Sequence, residues 1–139
     1  GMVLIDSDAL GSLGVPRFCM DVMEVTTAAY GACVQAGVCT AALGGGAGCN
    51  LTRGDRGDHP INCASWEQAQ SFCAWAGKRL PDDAEWIVAA RGGSGNQLYP
   101  WGSTPPDATR ACTICVSGPS VTVTGFAPRL GISDYMTLS

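Results

Sequence analysis

The residues of this chain with the clearest chemical potential are its cysteines. There are eight of them in 139 residues, together with a single histidine: Cys19, Cys33, Cys39, Cys49, Cys63, Cys73, Cys112, Cys115 and His59. An even number of cysteines at this density is typical of a disulfide framework formed in an oxidising compartment. We therefore predict that most of the cysteines are oxidised within the chain, and that the protein is extracellular or periplasmic.

Metal binding is the main alternative use for these cysteines. Zinc sites usually combine two close-spaced ligand couples, and only Cys112 and Cys115 have that spacing here. Because the second couple is missing, disulfides are favoured over zinc. Sequence does not fix their connectivity, but the shortest loops to close would pair Cys33, Cys39 and Cys49 locally and join Cys112 to Cys115.

The same residues show no catalytic constellation. A cysteine nucleophile needs a histidine beside it in space, and His59 is close to Cys63 in sequence, but a lone histidine is more often structural. The GGSG run at residues 92–95 follows a predicted helix and lacks the lysine of a phosphate-binding loop. We predict no catalytic residue and no metal ligand in this chain.

Binding motifs are present but short. Residues 53–58 read RGDRGD and residues 50–52 fit an N-glycosylation sequon, yet glycine and aspartate are also what exposed turns use. Among the tryptophans, Trp75 and Trp86 fall on predicted helical faces and are expected in the core. Trp66 and Trp101 remain candidates for a surface that binds a glycan or a protein.

Composition bounds the function classes. Hydrophobic residues make up 46% of the chain and charged residues 14%, which indicates one globular domain. The net charge of −4 gives no support for a nucleic-acid or anionic-membrane partner. No apolar run approaches the roughly 20 residues that span a bilayer.

The elements that must position these residues form an α+β pattern. Apolar runs predict short strands near 2–5 and 20–25. Thr26 is a plausible N-cap for a helix over 28–35, which Gly37 would end.

Two further helices follow from capping signals. Ser65 and Gln68 predict a capping box at the start of a helix over about 65–76. Asp82 and Glu85 predict a second capping box, at the start of a helix over about 82–91. Glu85 is therefore interpreted as a capping partner and not as a catalytic base. We expect the cations between the helices, at positions 78 and 79, to pair with carboxylates or helix-terminal carbonyls and hold the junction.

A stretch of motifs from residue 59 to 102 resembles the formylglycine-generating enzyme, or sulfatase-modifying factor, family. It includes WAGKRLP at 75–81, AEW at 84–86, AARGG at 89–93 and YPWG at 99–102. The M-V-x-I opening and the M-D-x-x-E-V-T block also match, at 2–5 and 20–26. The resemblance implies an irregular, C-type-lectin-like α+β fold.

The resemblance also implies where the family's chemistry lies. The resemblance implies a copper-dependent oxidase that converts a sulfatase cysteine to formylglycine. In the family, the two active cysteines follow a G-N-x-W-E-W block, and a calcium loop lies nearby. Residues 126–135 still resemble the family, but residues 136–139 do not begin that block. We therefore expect residues 1–139 to form a single partial domain, truncated at its C-terminus, with neither copper nor calcium. The resemblance further implies that Cys73 has lost its usual partner and is left unpaired.

Two functions follow from these expectations. The first is a non-catalytic or degenerate family member that binds a ligand or protein through its loops, or through apolar surface that the rest of the domain would have covered. The second is a functional fragment of a copper-dependent oxidase, whose catalytic cysteines a missing C-terminal half would supply. The sequence leaves enzymatic activity open and favours none for this chain alone.

Overall fold

The computed structural model describes residues 1–5, 14–42, 49–90, 98–99 and 102–105. Trp101, Cys112 and Cys115 lie outside these residues, so the second candidate tryptophan and the predicted Cys112–Cys115 bridge stay predictions. The described elements are, in chain order, β1 (Met2–Ile5), β2 (Phe18–Asp21), α1 (Thr27–Gln35), a 3-10 turn (Asn50–Thr52), α2 (Trp66–Trp75) and α3 (Asp83–Ala90). Mixed helices and a small sheet make this an α+β fold.

The sheet consists of β1 and β2 paired antiparallel, with Met2 opposite Asp21 and Ile5 opposite Phe18. Along β2, Phe18 and Met20 are buried and alternate with half-buried neighbours, which is the period expected of a strand with one covered face. The predicted strand near 20–25 is wrong at its boundaries. The chain leaves β1 after the bond from Val22 N–H to the Gly1 carbonyl (3.1 Å), and Val25 instead accepts a bond from Ile61.

Helix α1 begins and ends where local signals predict. The Thr26 hydroxyl accepts a bond from the Ala29 N–H at 3.1 Å. At the other end Gly37 has φ +73°, and the N–H of Val38 reaches back to the Cys33 carbonyl at 3.3 Å. This is a Schellman ending, in which a glycine takes the left-handed conformation that other residues adopt at a cost.

Two hydrophobic clusters hold the elements together. One joins the sheet to α3, and the other joins α1 to α2. Their buried members are Val15, Phe18, Met20, Val88 and Ala89 in the first, and Tyr30, Cys33, Cys39, Ala42 and Phe72 in the second. In the second cluster the Tyr30 and Phe72 rings stack at 5.6 Å between centroids. Within the described residues, no helix is long and apolar enough to cross a membrane.

Candidate functional site

A groove of about 860 Å³ runs between α2 and the segment that connects it to α3. Its volume is within the range of small-molecule sites. One wall is the outer face of α2, and the other is the connecting segment with the first turn of α3. The lining residues are Trp66, Gln70, Ala74, Lys78, Arg79, Leu80, Pro81, Asp82, Asp83 and Ala84.

Helix α2 divides its residues between the core and the groove. Ala69, Phe72 and Cys73 are buried, and Trp66, Gln70 and Ala74, spaced by four residues, line the groove. Spacings of three and four place side chains on one helix face. The indole of Trp66 therefore stands on the outer face, and 53% of its surface is exposed.

The predicted capping box fixes the start of α2 at Trp66. The Gln68 N–H donates to Ser65 Oγ at 3.2 Å, and the Ser65 N–H donates to Gln68 Oε1 at 2.8 Å. Gln68 Nε2 also donates to Thr40 Oγ1 at 2.9 Å, which ties the helix to the chain beyond α1. Ser65 Oγ donates to Glu67, and this bond holds the pKa of the Glu67 carboxyl below its usual range. The backbone that carries Trp66 is thus anchored on both sides.

A tight turn then brings the chain back along α2. Gly77 has φ +71°, and the Lys78 N–H donates to the Cys73 carbonyl at 2.7 Å. This second Schellman ending reverses the chain within two residues. The reversal lays residues 78–84 beside the Trp66 face and so forms the groove.

Both cations of the connecting segment are paired, as the sequence predicts. Lys78 Nζ lies 2.7 and 2.6 Å from the two carboxylate oxygens of Asp21, at the end of β2. Arg79 donates from Nη1 to Glu85 Oε2 at 2.7 Å and from Nη2 to Glu85 Oε1 at 2.5 Å. These contacts join the segment to the sheet on one side and to α3 on the other.

Glu85 is a capping partner, as predicted. It accepts a bond from the Asp82 N–H at 2.9 Å, and its own N–H donates to Asp82 Oδ1 at 2.8 Å. The carboxylate is buried, and the hydrogen bond from Arg79 holds its pKa below the usual range. The same pairing raises the pKa of Arg79. A base held ionised by a guanidinium and a backbone donor suits positioning better than proton abstraction.

The charge around the groove is negative. Its two cations are matched by Asp21 and Glu85, while Asp82 and Asp83 are exposed at the start of α3. The groove and its partners therefore carry two more negative than positive side chains. An exposed indole beside this excess of carboxylate is the main chemical feature of the site.

The cysteines of the N-terminal part form two disulfides, Cys33–Cys39 and Cys49–Cys63. The first is one of the local loops favoured by the sequence. For Cys49 the prediction of pairing with Cys33 or Cys39 is wrong, since those two join each other at the end of α1. Cys49 instead closes the loop that ends at Cys63.

The asparagine of the sequon lies in this loop. Asn50 is only 4% exposed. Its Nδ2 donates to the Pro60 carbonyl at 2.8 Å, and its Oδ1 accepts from Arg56 Nη1 at 2.6 Å. Every polar atom of the side chain is thus used within the fold, so Asn50 has a structural role.

The two RGD tripeptides differ in the structure. Arg56 binds Asn50, while the carbonyls of Arg56 and Gly57 accept bonds from Thr27 Oγ1 and from the Ala28 N–H. The second tripeptide therefore satisfies donors at the start of α1. Arg53 and Asp55 of the first are exposed on a turn, which the bond from Arg56 N–H to the Arg53 carbonyl (3.1 Å) closes.

His59 also has a structural position. Its carbonyl accepts a bond from the Thr27 N–H at 2.8 Å, and its Nε2 lies 3.9 Å from a carboxylate oxygen of Asp58. Like the neighbouring loop residues, it therefore helps to hold the start of α1.

The other two tryptophans of the described chain were both expected in the core. Trp86 packs against the cluster between the sheet and α3. For Trp75 the expectation is wrong, because 41% of its surface is exposed. As the last residue of α2, it meets Phe72 at 5.8 Å between ring centroids and leaves the rest of the indole at the surface.

Copper(I), which the resemblance implies, is held by thiolates. Of the six cysteines in the described part, four are in disulfides and two are free thiols, the half-buried Cys19 and the buried Cys73. Burial raises the pKa of Cys73 to about 11, which disfavours the thiolate. Across the described ranges no three histidine, cysteine, aspartate or glutamate side chains converge as metal ligands. These residues do not fit a copper or calcium site.

Comparison with known proteins identifies the family. The model of the sulfatase-modifying factor enzyme 1-like domain matches residues 7–119, which is most of the chain. The chain belongs to this family. The match spans both disulfides, α2, α3 and the groove between them.

Individual relatives of the sulfatase-modifying factor family match shorter stretches. The formylglycine-generating enzyme of Bos taurus is 54% identical over 48 residues, which is 34% of this chain and 13% of that protein. The formylglycine-generating enzyme of Thermomonospora curvata is 46% identical over 70 residues, or 50% of this chain and 22% of that protein. The inactive C-alpha-formylglycine-generating enzyme 2 of Bos taurus is 52% identical over 46 residues, or 33% and 15%. The chain matches less than a quarter of the length of each.

In this family member, the sequence indicated Trp66 as a candidate binding residue, but it did not indicate that Trp66 shares a groove with Gln70, Ala74 and residues 78–84. Gln70 and Ala74 could have been found from their spacing of four and eight residues after Trp66. No sequence spacing indicated that Asp83 lines the groove, because its place beside α2 depends on the turn at Gly77. Whether Trp66 binds a ligand stays a prediction.

Proposed function

We propose that residues 1–139 act as a binding part of a sulfatase-modifying factor domain, and that the groove beside Trp66 takes the ligand. This proposal rests on one observation: a half-exposed indole stands at the wall of the groove. Two ion pairs and two helix caps hold that groove in place. A large aromatic side chain on a rigid support gives contact area with little loss of conformational entropy on binding.

The proposed role is recognition without oxidase chemistry. Relatives named as a formylglycine-generating enzyme and as an inactive one match this chain at similar identity, 54% and 52%. What the segment shares with both is therefore a framework common to the two kinds of protein. We propose a single partial domain with a C-type-lectin-like fold, holding neither copper nor calcium, in an extracellular or periplasmic setting that keeps both disulfides oxidised.

A binding screen tests the proposal. The purified 139-residue chain is applied to peptide and oligosaccharide arrays beside Trp66→Ala and Trp75→Ala. Both positions are partly exposed tryptophans of α2, but only Trp66 lines the groove. We expect binding that Trp66→Ala removes and Trp75→Ala keeps, with circular dichroism showing that both variants are folded. Equal binding by the two variants would contradict the assigned site.

Copper(I) titration under anaerobic conditions tests the absence of oxidase chemistry. We expect no tight stoichiometric binding, and no conversion of a Cys-x-Pro-x-Arg peptide by this chain. Turnover by this chain that Cys112→Ser or Cys115→Ser abolishes would contradict the proposed absence of oxidase chemistry.

A further inference from the structure

The groove between α2 and the connecting segment has the features of a site for a cationic side chain. We infer that its ligand is a peptide segment that presents arginine or lysine, with the charged head between the Trp66 indole and the carboxylates of Asp82 and Asp83. The inference rests on the proposed binding function and names the class of ligand for the same groove.

The aromatic wall supplies the first argument. The face of an indole attracts a cation through its quadrupole, and tryptophan is the strongest of the aromatic side chains in this respect. Trp66 projects from the first turn of α2, and more than half of its surface is exposed. The ring is therefore open to a ligand while its backbone is held by the Ser65–Gln68 capping box.

The charge of the site supplies the second argument. Lys78 and Arg79 are engaged by Asp21 and Glu85 at 2.5–2.7 Å, so neither needs a carboxylate from a ligand. Asp82 and Asp83 add negative charge to the same groove. An anionic ligand would meet this excess of carboxylate, whereas a guanidinium or ammonium group would be complementary to it.

The apolar part of the lining fits the rest of such a side chain. Ala74, Leu80 and Pro81 lie along the groove between its polar residues. Arginine and lysine carry methylene stems that pack on apolar surface while the charged head stays at a polar edge. A neutral sugar could stack on the indole and donate its hydroxyls to the two carboxylates, but it carries no positive charge to balance them.

The experiment measures binding of three probes by fluorescence anisotropy. The first is a labelled eight-residue glycine–serine peptide with two arginines, the second is the same peptide with citrulline in place of arginine, and the third is a labelled cello-oligosaccharide. Citrulline keeps the shape and removes the charge. The chain is compared with Trp66→Ala, with the double variant Asp82→Asn/Asp83→Asn, and with Asp55→Asn as an exposed carboxylate outside the groove. Asparagine at position 82 can still cap α3.

We expect the arginine peptide to bind at least about fivefold more tightly than the citrulline peptide. Trp66→Ala and the double variant should each weaken it by about three- to tenfold, and Asp55→Asn should not. Affinity should fall as salt is raised from roughly 50 to 300 mM, because partly exposed charges are screened.

Three outcomes would overturn the inference. Equal affinity for the arginine and citrulline peptides would show that charge does not select the ligand. Trp66-dependent binding of the oligosaccharide alone would reject the cationic ligand while leaving the proposed binding function in place. Binding of the arginine peptide that neither groove variant weakens, or no binding of any probe, would reject both.

Discussion

Arg79 and Glu85 face each other as a two-point ion pair at the junction between α2 and α3. Arg79 Nη1 donates to Glu85 Oε2 at 2.7 Å and Nη2 donates to Oε1 at 2.5 Å, and the Asp82 N–H donates to the same carboxylate at 2.9 Å. Glu85 is buried, while Arg79 spans from it to the surface. The Glu85 carboxylate thus holds Arg79, the start of α3 and the segment that lines the groove in fixed positions.

The pH dependence of stability should reflect Glu85. Because its pKa in the folded chain is lowered below the ordinary value of 4.5, its contribution is present above that pH and is lost as pH falls through the folded pKa. We expect Glu85→Gln to lower the free energy of unfolding at pH 7 by about 1–2 kcal/mol. This loss should shrink in acid. Denaturant unfolding between neutral and acidic pH measures it, with Asp55→Asn as the control. A loss that is constant with pH would show that the charge of Glu85 is immaterial.

The two RGD arginines form a matched pair for mutation. Arg56→Ala removes the bond at 2.6 Å to the buried Asn50, and we expect it to destabilise the chain by about 1–3 kcal/mol. Arg53→Ala removes an exposed side chain on a turn and should change stability by no more than about 0.5 kcal/mol. Thermal and denaturant unfolding compare them directly. Similar losses for both would contradict the separate roles assigned to the tripeptides.

The Cys49–Cys63 bridge should stabilise the folded chain and also hold the loop that caps α1. Its separation of 14 residues is larger than the 6 of Cys33–Cys39, and we expect the paired Cys49→Ser/Cys63→Ser change to cost about 3 kcal/mol through the unfolded chain. The loop also provides acceptors for the first N–H groups of α1, so amide hydrogen exchange at Thr27 and Ala28 should accelerate in this variant. The paired Cys33→Ser/Cys39→Ser change is the control. Unchanged exchange at these amides would show that the capping loop does not need the bridge.

The two free thiols of the described chain should react differently. Cys73 is buried and its pKa is raised to about 11, so little of its reactive thiolate forms at neutral pH. Cys19 is half-buried. We expect iodoacetamide to label Cys19 well before Cys73 in the native chain and to label both in denaturant, as peptide mass mapping would reveal. Rapid native labelling of Cys73, or its recovery in a disulfide, would contradict this assignment.

The sequence by itself determined where the three described helices begin and where α1 and α2 end. Ser65 with Gln68, Asp82 with Glu85, and the glycines at 37 and 77 each act within a few residues, because capping and turn formation are local. The same signals predicted that Lys78 and Arg79 would be paired. The family motifs, which lie along contiguous runs, could be found in the same way.

Only the tertiary structure decided which distant groups meet. Lys78 pairs with Asp21, which lies 57 residues earlier in the chain. Cys49 is bonded to Cys63, and Asn50 is buried against Pro60 and Arg56. None of these partners could be predicted from sequence spacing. Trp75, predicted in the core, is exposed, since helical periodicity shows which residues share a face but not how far a neighbour covers it. The groove beside Trp66 exists because the turn at Gly77 folds residues 78–84 back along α2. Its charge is set by which cations the rest of the fold neutralises, and that depends on contacts between elements that no local pattern encodes.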